Sequence, residues 1–109
     1  MDRTEELLLI LSEECAEVAQ AASKCIRFGM AATHPNYPES NQLRLEQELG
    51  DFMAMFKLLI EENGLNEDNI MKAAEAKLIK VEKFMRNGRP PQVTPQLPPQ
   101  VPRKSRKPR

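Results

Sequence analysis

Residues 3–28, RTEELLLILSEECAEVAQAASKCIRF, decide the fold because they form one long amphipathic pattern. Asp2 or Thr4 can cap the start of a helix here, and Gly29 can end it. Apolar and small residues recur at spacings of three and four, which predicts a heptad-like seam along one face of the helix. The predicted seam residues are Leu8, Leu11, Cys15, Val18, Ala22 and Cys25.

Two more helices are predicted along the chain. The second runs from about residue 39 to residue 62, with Pro38 or Ser40 near its start and the helix-ending sequence NG after it. The third begins at the N-cap residue Asn66 and is closed by a second NG sequence. The predicted seam of the second helix is Leu45, Leu49, Phe52, Phe56 and Leu59, and the inner face of the third is Ile70, Ala74, Lys77 or Leu78, Val81, and Phe84 or Met85.

The length and charge of the chain limit its fold and its function. With 109 residues there is room for one domain, whose core is small for a lone monomer. We therefore expect an all-α fold, an antiparallel bundle of three main helices per chain that oligomerisation completes. Residues 1–88 contain ten basic and all 16 acidic residues, a net charge of −6. This balance argues against a nucleic-acid-binding body and fits a cation site.

Residues 89–109 have a different composition. They contain seven of the nine prolines, six basic residues and no acid. Without a periodic apolar face they predict a disordered, polyproline-II-like tail after a helical domain of residues 1–88. The tail resembles ligands of proline-reading modules and is basic enough to contact nucleic acid or an anionic surface, but a solubilising or vestigial tail is the favoured interpretation.

The sequence contains no run of 18 apolar residues and no signal-peptide core. We therefore expect a soluble, cytoplasmic protein with no membrane partner. Cys15 and Cys25 are ten residues apart on the first helix. That spacing corresponds to about 15 Å along the axis, too far for a disulfide. They are predicted to be buried, reduced thiols.

Acidic residues cluster in the middle of the first two helices. In the string EECAE, Glu14 and Glu17 share a helix face, and Glu13 is also a neighbour of Glu17. In the string ELGD, Glu48 and Asp51 border the apolar run that follows them. The glycine inside this helix costs about 1 kcal/mol relative to alanine, which indicates that something packs closely at its level.

A short loop joins these helices, so we expect them to run antiparallel and to bring the acidic pairs together. Converging carboxylates suit Mg²⁺, or Mn²⁺ in its place, because both ions prefer oxygen ligands and keep waters for a phosphate substrate. A di-iron bundle needs Glu-x-x-His pairs, and the single histidine, His34, lies in the loop. The sequence therefore predicts a magnesium site at Glu14, Glu17, Glu48 and Asp51.

The strings EECAEVAQAASKCIRFG and LEQELGDFMAMFKLLI resemble the MazG-like, all-α nucleoside triphosphate pyrophosphohydrolases. The likeness is to small, phage-type members, covers roughly residues 5–85, and rests on E-E-x-x-E in one helix and E-x-x-D in the next. It implies an Mg²⁺-dependent hydrolase that cleaves a nucleoside triphosphate between the α and β phosphates. The products are a nucleoside monophosphate and pyrophosphate, and family members are dimers or tetramers.

The resemblance also implies roles for single residues. The metal ligands that it implies are Glu14, Glu17, Glu48 and Asp51. Glu13, the first acid of the motif, is implied to be a metal ligand, either direct or in the outer sphere. Glu13 and Glu17 are the catalytic candidates, because a carboxylate or a metal-bound hydroxide activates the attacking water. The third helix of the family supplies a lysine to the phosphates. Here Lys77 is the first choice and Lys80 the second.

Two departures from the family pattern weaken the substrate prediction more than the metal prediction. Val81 stands where the family has an asparagine, and the interval between the two acidic motifs is longer than usual. The loop between the first two helices lies in this interval and carries His34, Asn36 and Tyr37. These residues either reach the nucleobase of a substrate or form an idle connection with no role in binding. The idle connection is the favoured interpretation. The alternative function is a non-catalytic dimerisation or adaptor module whose tail binds a protein or nucleic acid.

Overall fold

Three helices make up the computed structural model, which describes residues 1–88 of the chain. They are α1 (Arg3–Phe28), α2 (Asn41–Asn63) and α3 (Glu67–Phe84). These residues contain no strand, only an isolated β-bridge between Thr33 and Ser40. The all-α prediction is therefore confirmed for this part of the chain, whereas the predicted disordered tail lies outside the described residues.

The start of α1 is fixed by a capping box. The Asp2 side chain accepts a hydrogen bond from the Glu5 backbone N–H, and the Glu5 side chain accepts one from the Asp2 N–H, both at 2.8 Å. These bonds satisfy donors that a helix N-terminus leaves without partners, so Asp2 rather than Thr4 is the cap. At the other end Gly29 has a φ of 98°, which favours glycine, and α1 ends where predicted.

The other two helices also begin at side-chain caps. The Ser40 hydroxyl accepts a hydrogen bond from the Leu43 N–H at 3.1 Å, so α2 begins about two residues later than predicted. Asn66 caps α3 as predicted, accepting a hydrogen bond from the Asn69 N–H at 2.9 Å. Gly64 ends α2 in the left-handed conformation. α3 ends before the second NG sequence, earlier than predicted.

The chain divides into two units, Met1–Ile70 and Met71–Arg109. α1 and α2 lie in the first unit and run antiparallel, as predicted, because the start of α1 contacts the end of α2. There the Arg3 guanidinium forms a two-point salt bridge with the Glu62 carboxylate, at 2.6 and 2.9 Å. The boundary expected after residue 88 stays a prediction.

A small core lies between α1 and α2. Leu7, Met55 and Leu59 form it, and Leu11 and Leu58 pack against it. Burial of this apolar surface, at about 25 cal/mol per Å², is the main term that holds the two helices together.

Three residues of the predicted seams are exposed in the single chain. Leu8 is 48% exposed, Leu49 is 42% exposed, and Cys15 is exposed as well. The apolar run LLLIL at residues 7–11 allows more than one seam, and the chain buries Leu7 instead of Leu8. The contact face of α1 therefore includes Leu7 in place of Leu8 and keeps the predicted residue Leu11.

Two local expectations also need correction. Both cysteines are free, but Cys15 is exposed and Cys25 only half-buried, so the prediction of buried thiols is wrong for Cys15. A Cβ added at Gly50 would meet nothing within 4 Å. Close packing at Gly50 is therefore not found within the described chain.

α3 buries none of its own residues. Of its predicted inner face, Ile70 and Val81 are half-buried. The other predicted positions are exposed in the single chain, namely Ala74, both alternatives Lys77 and Leu78, and both alternatives Phe84 and Met85. Within residues 1–88, no helix combines the length and the apolar character needed to cross a membrane.

Candidate metal centre

Two acidic residues lie in the contact faces of α1 and α2, where apolar residues are expected. Glu14 follows the core residue Leu7 by seven positions, which is two helical turns, and it is half-buried. Glu48 precedes the core residue Met55 by the same interval and is also half-buried. An unpaired carboxylate is costly to bury, so the stability of the fold does not explain acids at both positions.

Glu14, Glu48 and Asp51 bring three carboxylates together. One oxygen atom from each residue lies within 4.8 Å of the oxygen atoms from the other two. Asp51 is the exposed member and follows Glu48 by one helical turn. In the described part of the chain, none of the three forms an ion pair with a basic side chain.

The surroundings of Glu14 raise the pKa of its carboxyl above the usual value. Partial desolvation of this side chain is the largest cause, followed by repulsion from Asp51 and then from Glu48. Smaller repulsions come from Glu17 and Glu13. Since every one of these causes favours the neutral form, the site carries negative charge that a bound cation would relieve.

The predicted ligand Glu17 lies beside this cluster rather than in it. It is exposed and lines a small cavity together with Glu48, Lys24 and Arg44. Glu13 is exposed as well. The structure thus groups three of the four predicted metal ligands, and it leaves the two predicted catalytic acids within electrostatic reach of the group.

The predicted phosphate ligands Lys77 and Lys80 lie on α3, in the unit that begins at Met71. Both are exposed, and they are three residues apart, so they are neighbours on the helix surface. Their role in phosphate binding stays a prediction.

Two basic residues to which the sequence assigned no role border the acids. Lys24 and Arg44 line the same small cavity as Glu17 and Glu48. Arg44 precedes Glu48 by four residues, a spacing at which helical side chains are neighbours. Lys24 follows Glu17 by two turns of α1 and so lies on the same face. These two spacings are the signals that would have found them.

The arrangement suits a divalent cation next to an anionic group. Mg²⁺ and Mn²⁺ take carboxylate oxygens as ligands and retain several waters. Arginine and lysine side chains beside such a site are suited to phosphate oxygens. Acids and bases side by side can therefore hold a metal ion and a polyphosphate together.

Comparisons with known proteins do not place this site in a class. The chain matches no protein-family model, no curated protein and no solved structure. The resemblance to the MazG-like enzymes thus rests on the two acidic motifs, and the functional interpretation rests on the geometry around them.

Proposed function

We propose that the chain is an Mg²⁺-dependent nucleoside triphosphate pyrophosphohydrolase of the MazG-like type, which converts a (d)NTP into a (d)NMP and pyrophosphate. The position of Glu14 and Glu48 on the facing sides of α1 and α2 is the observation that carries the proposal. Apolar residues at these positions would enlarge a small core, so the two acids are better explained by a ligand than by stability.

The chemistry of the clustered side chains fits a divalent cation. Three carboxylate oxygens lie within 4.8 Å of one another, and two of the residues are half-buried. Glu14, Glu48 and Asp51 would hold Mg²⁺, with Glu17 as the fourth predicted ligand and Mn²⁺ as a substitute ion. When bound, the ion neutralises polyphosphate charge and lowers the pKa of water.

Glu13 and Glu17 are the proposed proton acceptors. The oxygen of a water molecule bonds to the α-phosphorus, the bridging bond to the β-phosphate breaks, and pyrophosphate leaves. The proton of the water passes to the Glu17 carboxylate, with Glu13 as the alternative acceptor. Both side chains are exposed and are therefore accessible to water from the solvent.

Basic residues complete the proposed substrate site. Lys24 and Arg44 border the cavity beside Glu48, where phosphate oxygens would meet them. Lys77 and Lys80 are further proposed phosphate ligands, and for these two the support is the family resemblance.

The proposal includes a homo-oligomer, a dimer or a tetramer, in the cytoplasm. Leu8 and Leu49 are nearly half exposed, and Met53, one turn after Leu49, is 50% exposed. Exposed apolar surface of this kind is typical of protein–protein interfaces. A second copy of the chain would enlarge the core that a single chain leaves small.

Release of pyrophosphate from a panel of dNTPs and NTPs tests the reaction. With Mg²⁺ we expect pyrophosphate and nucleoside monophosphate in equal amounts, and no turnover in EDTA. Glu48→Gln and Glu17→Gln should each reduce kcat/KM by at least about 100-fold, because even outer-shell partners of a metal contribute about 10- to 100-fold.

Glu46→Gln is the matched control, because it makes the same change at an exposed position of α2 outside the cluster. It should keep the activity of the unsubstituted chain. No release from any nucleotide by the folded chain would contradict the proposed reaction, and orthophosphate as the product would contradict the proposed bond.

A further inference from the structure

The connection between α1 and α2 forms a cavity that the proposed hydrolysis does not use. Its volume is about 290 Å³, near the lower limit for small-molecule sites. The end of α1, the loop and the start of α2 all contribute to its lining, which is mainly apolar. The lining residues that carry rings are Phe28, His34, Pro35 and Tyr37. A cavity of this size and character suits one planar ring system.

Hydrogen bonds hold the walls of this cavity in place. Asn41 is only 6% exposed, and its side-chain nitrogen donates to the carbonyl oxygens of Gly29 at 2.9 Å and Lys24 at 3.5 Å. The Asn41 backbone N–H donates to the Ala32 carbonyl at 2.8 Å. The loop is therefore tied to both helices, which favours a preformed wall over an idle connection.

Two rings lie side by side at the cavity, tilted by 48° to each other, and a cation lies over one of them. The ring centroids of His34 and Tyr37 are 5.0 Å apart. The Arg44 guanidinium carbon lies 5.0 Å from the Tyr37 centroid. The Asn36 N–H donates to His34 Nδ1 at 3.0 Å and so orients that ring. Tyr37 remains 49% exposed, and exposed aromatic faces of this kind stack on planar heterocycles.

This cavity and the acidic site share two lining residues. Lys24 and Arg44 line both this cavity and the small one that contains Glu17 and Glu48. The order along the α1–α2 surface is thus aromatic cavity, two cations, then carboxylates. A metal-bound nucleoside triphosphate has the same order, with its base at one end and its phosphates and metal at the other.

We infer that the cavity lined by Phe28, His34 and Tyr37 binds the nucleobase of the substrate, while Lys24 and Arg44 meet the phosphates between the base and the metal. This inference rests on the proposed function. It changes the role of the loop from the favoured idle connection to a binding wall that positions the substrate.

Proton NMR of the 109-residue chain tests the inference directly. The chain has one tyrosine and one histidine, so the aromatic signals of Tyr37 and His34 are identified by composition. The probes are nucleosides and dNTPs in EDTA, where no turnover is expected. Stacking should shift the ring signals of both residues, with nucleosides and with dNTPs alike.

Tyr37→Ala should weaken dNTP binding by about 5- to 150-fold, the range for the loss of one base–aromatic stack. The His34 signal reports binding in this variant. Tyr37→Phe restores the ring and should restore the affinity. Phe84→Ala is the matched control, since it removes an exposed ring outside the cavity.

The outcomes separate this inference from the proposed reaction. Ring shifts with nucleosides in a chain that hydrolyses nothing would support the base site and overturn the reaction. Metal-dependent hydrolysis without ring shifts, and with kcat/KM unchanged in Tyr37→Ala, would overturn the base site and leave the reaction standing.

Discussion

At the scale of single residues, Glu14 and Glu48 are acids at positions where the packing of α1 on α2 calls for apolar side chains. The arrangement lowers the stability of the metal-free protein, because partial desolvation and repulsion both disfavour the charged form of Glu14. A divalent cation would reverse this effect. The same residues would therefore link metal binding to stability.

The raised pKa of Glu14 predicts how stability depends on pH in EDTA. Its carboxyl has a usual pKa of 4.5, and a raised folded pKa stabilises the fold below that value. This contribution is lost as the pH rises through the folded pKa. Thermal unfolding should therefore show Glu14→Gln to be more stable than the unsubstituted chain at pH 7, with the difference disappearing towards pH 4.

Glu46→Gln provides the control for this experiment, since Glu46 is exposed and outside the cluster. It should follow the unsubstituted chain across the pH range. A Glu14→Gln variant that is less stable than the unsubstituted chain at pH 7 in EDTA would contradict the placement of Glu14.

The sequence was sufficient to identify the acids but not the face on which they lie. The spacing of the two motifs predicts converging carboxylates, and Glu14, Glu48 and Asp51 do converge. The run LLLIL fits two neighbouring seams equally well, so periodicity cannot choose Leu7 over Leu8. Only the pairing of α1 with α2 decides the register, and that pairing depends on contacts distant in sequence.

At the scale of the elements, the α1–α2 pair is held at both ends by polar contacts. The salt bridge of Arg3 with Glu62 joins the start of α1 to the end of α2, and the Asn63 side chain donates to the Thr4 hydroxyl at 2.6 Å. Asn41 joins the other end. The caps Asp2, Ser40 and Asn66 are local features, which explains why the sequence indicated the ends of most helices well.

Asn41→Ala should lower the free energy of unfolding by about 1–3 kcal/mol, the range for leaving buried hydrogen-bonding groups without a partner. Asn41 is buried, and its side chain bonds the carbonyl groups of Gly29 and Lys24. Urea unfolding measures the loss. Gln42→Ala, at the exposed neighbouring position, is the control, and equal stability of the two variants would show that Asn41 does not hold the loop.

At the scale of the whole molecule, exposed apolar residues predict self-association. Leu49 and Met53 are neighbours on α2, and a single chain leaves both about half exposed. A chain of 109 residues whose described helices share a small core gains stability when such surfaces are covered. The sequence predicted this need from length alone, and it placed Leu49 in the apolar seam of the second helix.

The double variant Leu49→Lys/Met53→Lys should be monomeric and less thermally stable, because two charges cannot be buried at an apolar interface. Sedimentation velocity measures the mass, with Gln47→Lys as a control that adds charge at another exposed position of α2. A monomeric unsubstituted chain, or an unchanged mass in the double variant, would contradict this surface as the interface.

The binding of Mn²⁺, followed by the loss of its free-ion EPR signal, tests most directly whether the acidic cluster is a metal site. We expect the unsubstituted chain and Glu46→Gln to bind Mn²⁺ alike, Mg²⁺ to compete with it, and Glu48→Gln to weaken Mn²⁺ binding by at least about tenfold. Equal affinity in all three proteins, or no binding by the unsubstituted chain, would contradict a metal site in the acidic cluster.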